Sequence, residues 1–121
     1  MHINLERHDL HSIQSYDDAG ITVNQVGYTQ SVILSRTTII SDWSAHASIP
    51  LDETQIQPLL ALKPELIIMG HTQSRLIVPP GILETLSKLR IGFECMQLGA
   101  ACRTFNVLLS EHRAVVLGLI L

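Results

Sequence analysis

The sequence predicts an α/β fold of three layers, built on a mixed central sheet whose C-terminal half is a parallel βαβαβ unit. The parallel unit is indicated by short apolar runs, typical of strands covered on both faces, and by helical stripes between them. The first half alternates apolar and polar residues, as half-buried strands do. Strand–helix–strand connections of this length imply parallel pairing with right-handed crossovers. We therefore expect the helices on one face and a small N-terminal β-meander layer on the other.

The first half of the chain contains several short predicted strands. Residues 21–26 alternate between apolar and polar side chains. Residues 31–35 and the β-branched run 37–41 follow as two more strands. A turn signal at 17–20 indicates a further short strand over 12–16. Together these segments predict a meander of three or four strands.

The second half alternates between helices and strands. Asp52 is a good N-cap for a helix that Pro58 shortens or kinks and that Lys63-Pro64 ends. Pro79-Pro80 can open a second helix, because proline lacks the N–H group that the first helical turn leaves unpaired. The remaining predictions are strands over 66–69, 91–96 and 114–121, and a helix over 99–112.

Composition limits the class of protein. The 121 residues suffice for one domain, 1–121, and the net charge is −3. The basic residues form no stripe and aromatic residues are only 4 % of the chain, so nucleic-acid binding is not expected. Two cysteines are too few for a disulfide-built secreted domain, and no signal peptide is visible. The longest apolar stretch, 114–121, is shorter than the roughly 20 residues of a membrane-spanning helix. We therefore expect a soluble, cytoplasmic protein.

Two connectors carry the candidate binding residues. Ligands of parallel sheets bind beyond the carboxyl ends of the strands, and the loops 70–75 and 97–103 follow two such strands. The second loop enters a helix, whose free N–H groups suit an anion, and Arg103 could add a bidentate charge. Alternatively, Gly-Ala-Ala packs the helix against the sheet, and Arg103 is solvated or paired with a carboxylate. The candidates are Gly70, His71, Thr72, Gly99, Ala100, Ala101, Cys102, Arg103 and Asn106.

The cysteines and the single tryptophan are interpreted as structural residues. Cys102 lies in the first turn of a helix, where the dipole lowers a thiol pKa, so a reactive thiolate is conceivable. A small residue near a helix start is more often a packing residue, and this interpretation is favoured. Cys95 alternates with Phe93 in its strand and is interpreted as core. Trp43 either covers one end of the core or belongs to a partner surface, and the core role is favoured.

No motif identifies a catalytic residue, a metal or a cofactor. His8 and His11 have no further ligand at the usual spacing, so no metal is expected. Asp42, Ser44 and His46 are residue types of a catalytic triad, but no nucleophile elbow accompanies them. The absence of a recognisable motif favours binding over catalysis.

One segment resembles a known family. Residues 96–108, Met-Gln-Leu-Gly-Ala-Ala-Cys-Arg-Thr-Phe-Asn-Val-Leu, closely resemble the signature of the domain-of-unknown-function family 498. The resemblance covers roughly residues 20–121; it is strong over 91–110 and loose in the first half. That family includes mitochondrial complex I assembly factor 3 and an adipogenesis-associated mammalian homologue. This chain has Gly70-His71-Thr72 where the family commonly has Gly-Thr-Gly, and Gln97-Leu98 where it commonly has Asp-Thr. The resemblance implies a three-layer fold with a mixed sheet, no established catalytic activity, and a protein-binding role.

Three functional hypotheses follow. The first is a non-catalytic binding or assembly-type protein with a protein partner, which the resemblance connects with assembly of a respiratory complex. The second is a small-molecule or anion-binding protein, with or without catalysis, whose site is formed by the loops 70–75 and 97–103. The third is self-association into a homo-oligomer through an exposed β edge in the N-terminal half.

Overall fold

A computed structural model describes residues 11–72, 76 and 78–121 of the chain. In that part, eight strands and three helices follow one another. In chain order they are β1 (Ser15–Asp17), β2 (Gly20–Val23), β3 (Val26–Tyr28), β4 (Val32–Leu34), β5 (Ile39–Ile40), α1 (Glu53–Leu60), β6 (Leu66–His71), α2 (Pro80–Lys88), β7 (Gly92–Gln97), α3 (Leu98–Ser110) and β8 (Val115–Ile120).

The central sheet has five strands in the order β5-β4-β8-β6-β7. β6 lies between β8 and β7 and pairs parallel with both, so that Ile68 faces Leu117 on one side and Glu94 on the other. β4 pairs antiparallel with β8, and β5 with β4. The predicted mixed sheet with a parallel βαβαβ C-terminal half is therefore confirmed.

The helices lie on both faces of this sheet, which corrects the expectation of a single helical face. α1 and α2 pack with Ile67 and Met69 of β6, whereas α3 packs with the intervening Ile68. Strand order is the reason. The chain moves outward from β6 to β7 and then returns past β6 to reach β8. Right-handed crossovers that run in opposite directions place their helices on opposite faces.

The predicted N-terminal meander divides between two sheets. β1, β2 and β3 form a separate antiparallel sheet of three strands, whereas β4 and β5 join the edge of the central sheet. Ile13, Ile21 and Val23 pack into the same core cluster as α3. The small β layer is thus present, and it shares its side of the central sheet with α3.

The predicted strand over 21–26 contains a hairpin turn. Asn24 and Gln25 have φ values of 51° and 68°, and they separate β2 from β3. Positive φ at both central residues is the requirement of a tight type I′ hairpin, and asparagine tolerates it well. Asn24 and Gln25 are also compatible with the polar positions of a strand, so the alternating pattern did not reveal the turn.

Local signals account for the helix ends. Asp52 and Gln55 form a reciprocal capping box at the start of α1, and the helix is short, as predicted, with Pro58 near its end. Pro79 is the N-cap of α2 and Pro80 its first residue. α3 begins at Leu98, directly after the last residue of β7. The amino end of α3 is therefore fixed at the carboxyl rim of the sheet.

Trp43 is a core residue, as favoured by the sequence. It is 7 % exposed, and its indole Nε1 donates a hydrogen bond of 2.9 Å to the carbonyl oxygen of Gln55. Its ring lies over β8, where a Cβ atom at Gly118 would come within 2.9 Å of Trp43 Cη2 and 3.0 Å of Met69 Sδ. Gly118 therefore provides the space that the indole fills.

Candidate functional site

The two predicted connectors meet at one rim of the central sheet. His71, the last residue of β6, pairs with Gln97, the last residue of β7, and with Ile120 of β8. α2 and α3 leave this rim toward opposite faces of the sheet. Such a reversal between neighbouring parallel strands is where α/β sheets commonly bind ligands. Residues 73–75 of the first connector, including Arg75, lie outside the described residues.

Gly70 and Ala101 allow α3 to approach β6 closely. A Cβ atom at Gly70 would lie 2.6 Å from Leu119 Cδ2 and 2.7 Å from the Cβ of Ala101. Ala101 is fully buried in the cluster that joins α3 to the sheet. These packing contacts are sufficient to explain why both residues are small, and no bound ligand is needed to explain it.

The amino end of α3 is capped by the protein itself. Gln97 Oε1 accepts a hydrogen bond of 2.9 Å from the backbone N–H of Gly99. A Cβ atom at Gly99 would lie 3.1 Å from Tyr16 Cε1, so Gly99 makes room for that ring. Ala100 is half-buried next to it. The first turn of α3 therefore already has a polar cap and an aromatic neighbour.

Arg103 contacts a tyrosine of the small sheet. Its Nη1 donates a hydrogen bond of 2.6 Å to the hydroxyl oxygen of Tyr16, and its guanidinium carbon lies 6.0 Å from the centre of the same ring. Both side chains are exposed. The predicted alternatives for Arg103 were a ligand, solvent or a carboxylate, and the contact found is with an aromatic ring and its hydroxyl.

Asn106 connects α3 to the segment that precedes β1. Its Oδ1 accepts a hydrogen bond of 2.7 Å from the N–H of Ile13, and its Nδ2 donates one of 2.9 Å to the carbonyl of Ile13. This pair of bonds satisfies both backbone groups of one residue, as a neighbouring strand would. Asn106 thus anchors the N-terminal layer.

The Cys102 thiol is buried. Its side chain is inaccessible to solvent, and burial raises its pKa to about 12, although the nearby Arg103 charge acts in the opposite direction. A thiol with such a pKa is not a nucleophile at neutral pH, because the thiolate is the reactive form. The burial of Cys102 in the cluster that joins α3 to the sheet agrees with the packing interpretation.

Cys95 differs from its prediction. It was expected in the core, but it is exposed on β7, the edge strand of the central sheet. Partial burial of the sulfur, together with the charge of Glu94, raises the pKa of the Cys95 thiol. The alternation correctly predicted that Cys95 and Phe93 lie on the same face of the sheet. Because β7 is an edge strand, the neighbouring elements cover only part of that face.

The remaining polar residues at the rim are His71 and Thr72. His71 is buried, with 8 % of its surface exposed, while Thr72 is half-buried. Elsewhere, His11 Nδ1 lies 2.9 Å from the carbonyl oxygen of Ser35, and His8 lies outside the described residues. The described chain contains no group of three residues able to hold a metal ion.

Three cavities are lined by residues outside the described parts of the two connectors. One of about 270 Å³ is bounded by the small sheet, and one of about 290 Å³ lies at the opposite rim beside Arg36 and Arg113. A third, of about 350 Å³, lies beside Trp43, His46 and Leu121. Residues 70–72 and 97–103 line none of these three.

The partners of the candidate residues come from the distant N-terminal layer. Tyr16 is separated from Arg103 by 87 positions, and Ile13 from Asn106 by 93. Sequence analysis missed both, because neither the spacing nor the residue type indicates a contact across that distance. The α3 stripe indicated only which residues face the central sheet.

Comparisons with known proteins agree with this architecture. The family model described as "Protein of unknown function (DUF498/DUF598)" matches residues 13–120. A Xanthomonas campestris protein of known structure is 31 % identical, with a TM-score of 0.80 over 91 % of this chain and 83 % of that one. The fold is also similar to that of a Bordetella pertussis protein described as an Mth938-like domain, with a TM-score of 0.76, 22 % identity, and coverage of 93 % and 86 %.

A further relative has a name that refers to membranes. The "13 kDa major membrane protein" of Francisella tularensis subsp. holarctica is 28 % identical over 89 residues, which are 73 % of this chain and 72 % of that protein. In the described part of this chain, no helix has the length and apolar character needed to cross a bilayer. The match over 13–120 covers nearly the whole chain, and the chain therefore belongs to the DUF498/DUF598 family of proteins of unknown function.

Proposed function

We propose that this protein is a non-catalytic binding protein of the assembly-factor type that acts in the cytoplasm. The proposal rests on one observation: the reactive residue types at the carboxyl rim contact the protein itself. Cys102 is buried as a thiol, Arg103 contacts Tyr16, and Asn106 binds the backbone of Ile13. A catalytic site requires such groups to be aimed at a substrate.

A role in assembly of a respiratory complex is the specific form of this proposal. It is supported by the resemblance of residues 96–108 to the family signature, and by membership of the family. The names of the three relatives above refer to no reaction.

Affinity isolation of the tagged chain tests the proposal. The chain is expressed at its native level and isolated under conditions that preserve respiratory assemblies, and partners are quantified by mass spectrometry. We expect at least one partner in stoichiometric amount. A single aspartate is then placed at each exposed large hydrophobic residue. These positions are Tyr16, Val26, Ile49, Leu83, Leu89 and Val107.

The expected outcome is that one local group of these variants loses the partner while the melting temperature is unchanged. The other variants serve as matched controls, because they carry the same charge on a different surface. Absence of any stoichiometric partner, or equal binding by all six variants, contradicts the proposal.

The alternative is a small-molecule or anion site formed by the loops 70–75 and 97–103. Its support is the pairing of His71 with Gln97, which brings the two connectors to one rim. Titration with inorganic phosphate, followed by NMR, tests it. A site predicts saturable shifts of the amides of 99–103 that are lost in Arg103→Gln. Shifts that remain linear with phosphate exclude an anion site there, and saturable shifts that persist in the variant exclude a role for Arg103 in it.

A further inference from the structure

β7 presents an open edge of the central sheet. Within the described residues it pairs with β6 alone, and it is six residues long, whereas β5 at the other edge has only two. The N–H of Gly92 donates to the carbonyl of Glu65, on the β6 side. Because backbone groups alternate in direction along a strand, those of Phe93, Cys95 and Gln97 point outward.

Neither lysine nor proline protects this edge. Natural edge strands are commonly blocked by charged residues, above all lysine, by proline or by a bulge, and the one charged residue of β7 is Glu94. Cys95 is exposed beside the outward peptide groups. Leu83 lies on α2, the helix that packs on the same face of the sheet as Phe93. Leu83 is 44 % exposed.

We propose that β7 pairs antiparallel with β7 of a second copy of this chain, about a two-fold axis perpendicular to the sheet. This symmetry keeps the α2 face of one copy on the α2 face of the other. Phe93 packs on the α2 face and Met96 on the α3 face. Across the two-fold axis, the Phe93 side of one β7 therefore continues into the Phe93 side of the other, and the Met96 side into the Met96 side. The two copies form one continuous sheet.

Only ladders centred on Glu94 or on Cys95 pair five of the six residues of β7, and charge decides between these two registers. Paired residues of an antiparallel ladder point to the same face, so each residue of β7 can only oppose one an even number of positions away. A ladder centred on Glu94 places two carboxylates directly opposite each other, which is destabilising. A ladder centred on Cys95 places Glu94 opposite Met96 and Phe93 opposite Gln97. Both registers pair outward peptide groups, but only the second avoids the repulsion.

The chosen register brings the two Cys95 residues together. Hydrogen-bonded antiparallel pairs have Cα atoms about 5.5 Å apart. This separation lies in the range that a disulfide or a short thiol cross-linker spans, which is roughly 4.4–6.8 Å for a disulfide. The native cysteine is therefore a reporter of the interface.

A charge-exchange experiment tests the proposal on the full chain. Sedimentation of the wild-type protein should give a mean mass that rises with concentration from one 13.4 kDa chain toward twice that value. Cys95→Lys and Cys95→Glu should each remain monomeric, because like charges meet on the two-fold axis. A one-to-one mixture of the two variants should dimerise again. Restored dimerisation shows that neither variant is simply misfolded.

The matched controls are Val26→Lys and Val26→Glu, since Val26 is 51 % exposed on the small sheet. Both should dimerise as the wild type does. In parallel, a short bismaleimide should join wild-type copies through Cys95, and Cys95→Ala should abolish the product. A wild type that is monomeric at all concentrations, or a mixture that stays monomeric, overturns the proposal. The inference is independent of the proposed function, because the isolation experiment identifies proteins other than this chain.

Discussion

Gly118 is the residue on which the packing of Trp43 depends. A Cβ atom there would meet Trp43 at 2.9 Å and Met69 at 3.0 Å, both in the interior. Gly118→Ala should therefore lower the free energy of unfolding by about 1–3 kcal/mol through overpacking. Urea denaturation measures the change. Gly27→Ala is the control, because no atom lies within 4 Å of its added Cβ, and it should have little effect. Equal losses in the two variants would contradict the packing assigned to Trp43.

Cys102 should make stability depend on pH in the alkaline range. Its pKa is about 12 in the folded chain, against 9.0 for an ordinary thiol, so the folded state holds the proton more tightly. As pH rises through 9, the unfolded chain releases its proton first, and the free energy of unfolding should fall. Below pH 9 the thiol is protonated in both the folded and the unfolded chain, so the free energy of unfolding no longer changes with pH through this group. Denaturation of Cys102→Ala over the same range should show a shallower fall, and identical slopes would contradict the assignment.

At the scale of elements, Asn106 holds the small sheet on α3. Asn106→Ala removes two hydrogen bonds and leaves both backbone groups of Ile13 without that partner. We expect a loss of about 1–3 kcal/mol. Hydrogen exchange should accelerate most in β1–β3. Val107→Ala, which changes a 53 % exposed neighbour, is the control. Uniform acceleration across both sheets would show that the small sheet is not held independently.

The helices and strands of the second half were predictable from the sequence, but their arrangement was not. The parallel unit after residue 65 was predictable, because each strand is a short apolar run and each helix has a clear stripe. The position of β6 between β8 and β7 was not predictable, since strand order depends on tertiary packing. The strand order determines the face on which α3 lies. The prediction of that face was wrong, because the strand order was not known.

At the scale of the whole molecule, the sequence predicted where the candidate site lies, but it did not predict which residues contact each other there. Chain order and parallel pairing were enough to place His71 beside Gln97. The contacts of Arg103 and Asn106 were hidden, because their partners, Tyr16 and Ile13, lie in β1 and in the segment before it. The rim joins three layers, and small residues such as Gly70 and Ala101 serve that junction.

Thiol labelling of the native protein tests most directly whether this rim is structural. Each cysteine is followed by mass spectrometry after exposure to a maleimide at neutral pH. Cys95 should react in the folded protein, because its side chain is exposed, whereas Cys102 should react only as fast as the protein unfolds. Cys102→Ala should leave the labelling of Cys95 unchanged. Rapid labelling of Cys102 in the folded protein, with an inflection below pH 9, would instead identify an accessible, activated thiol at the rim and contradict a structural role.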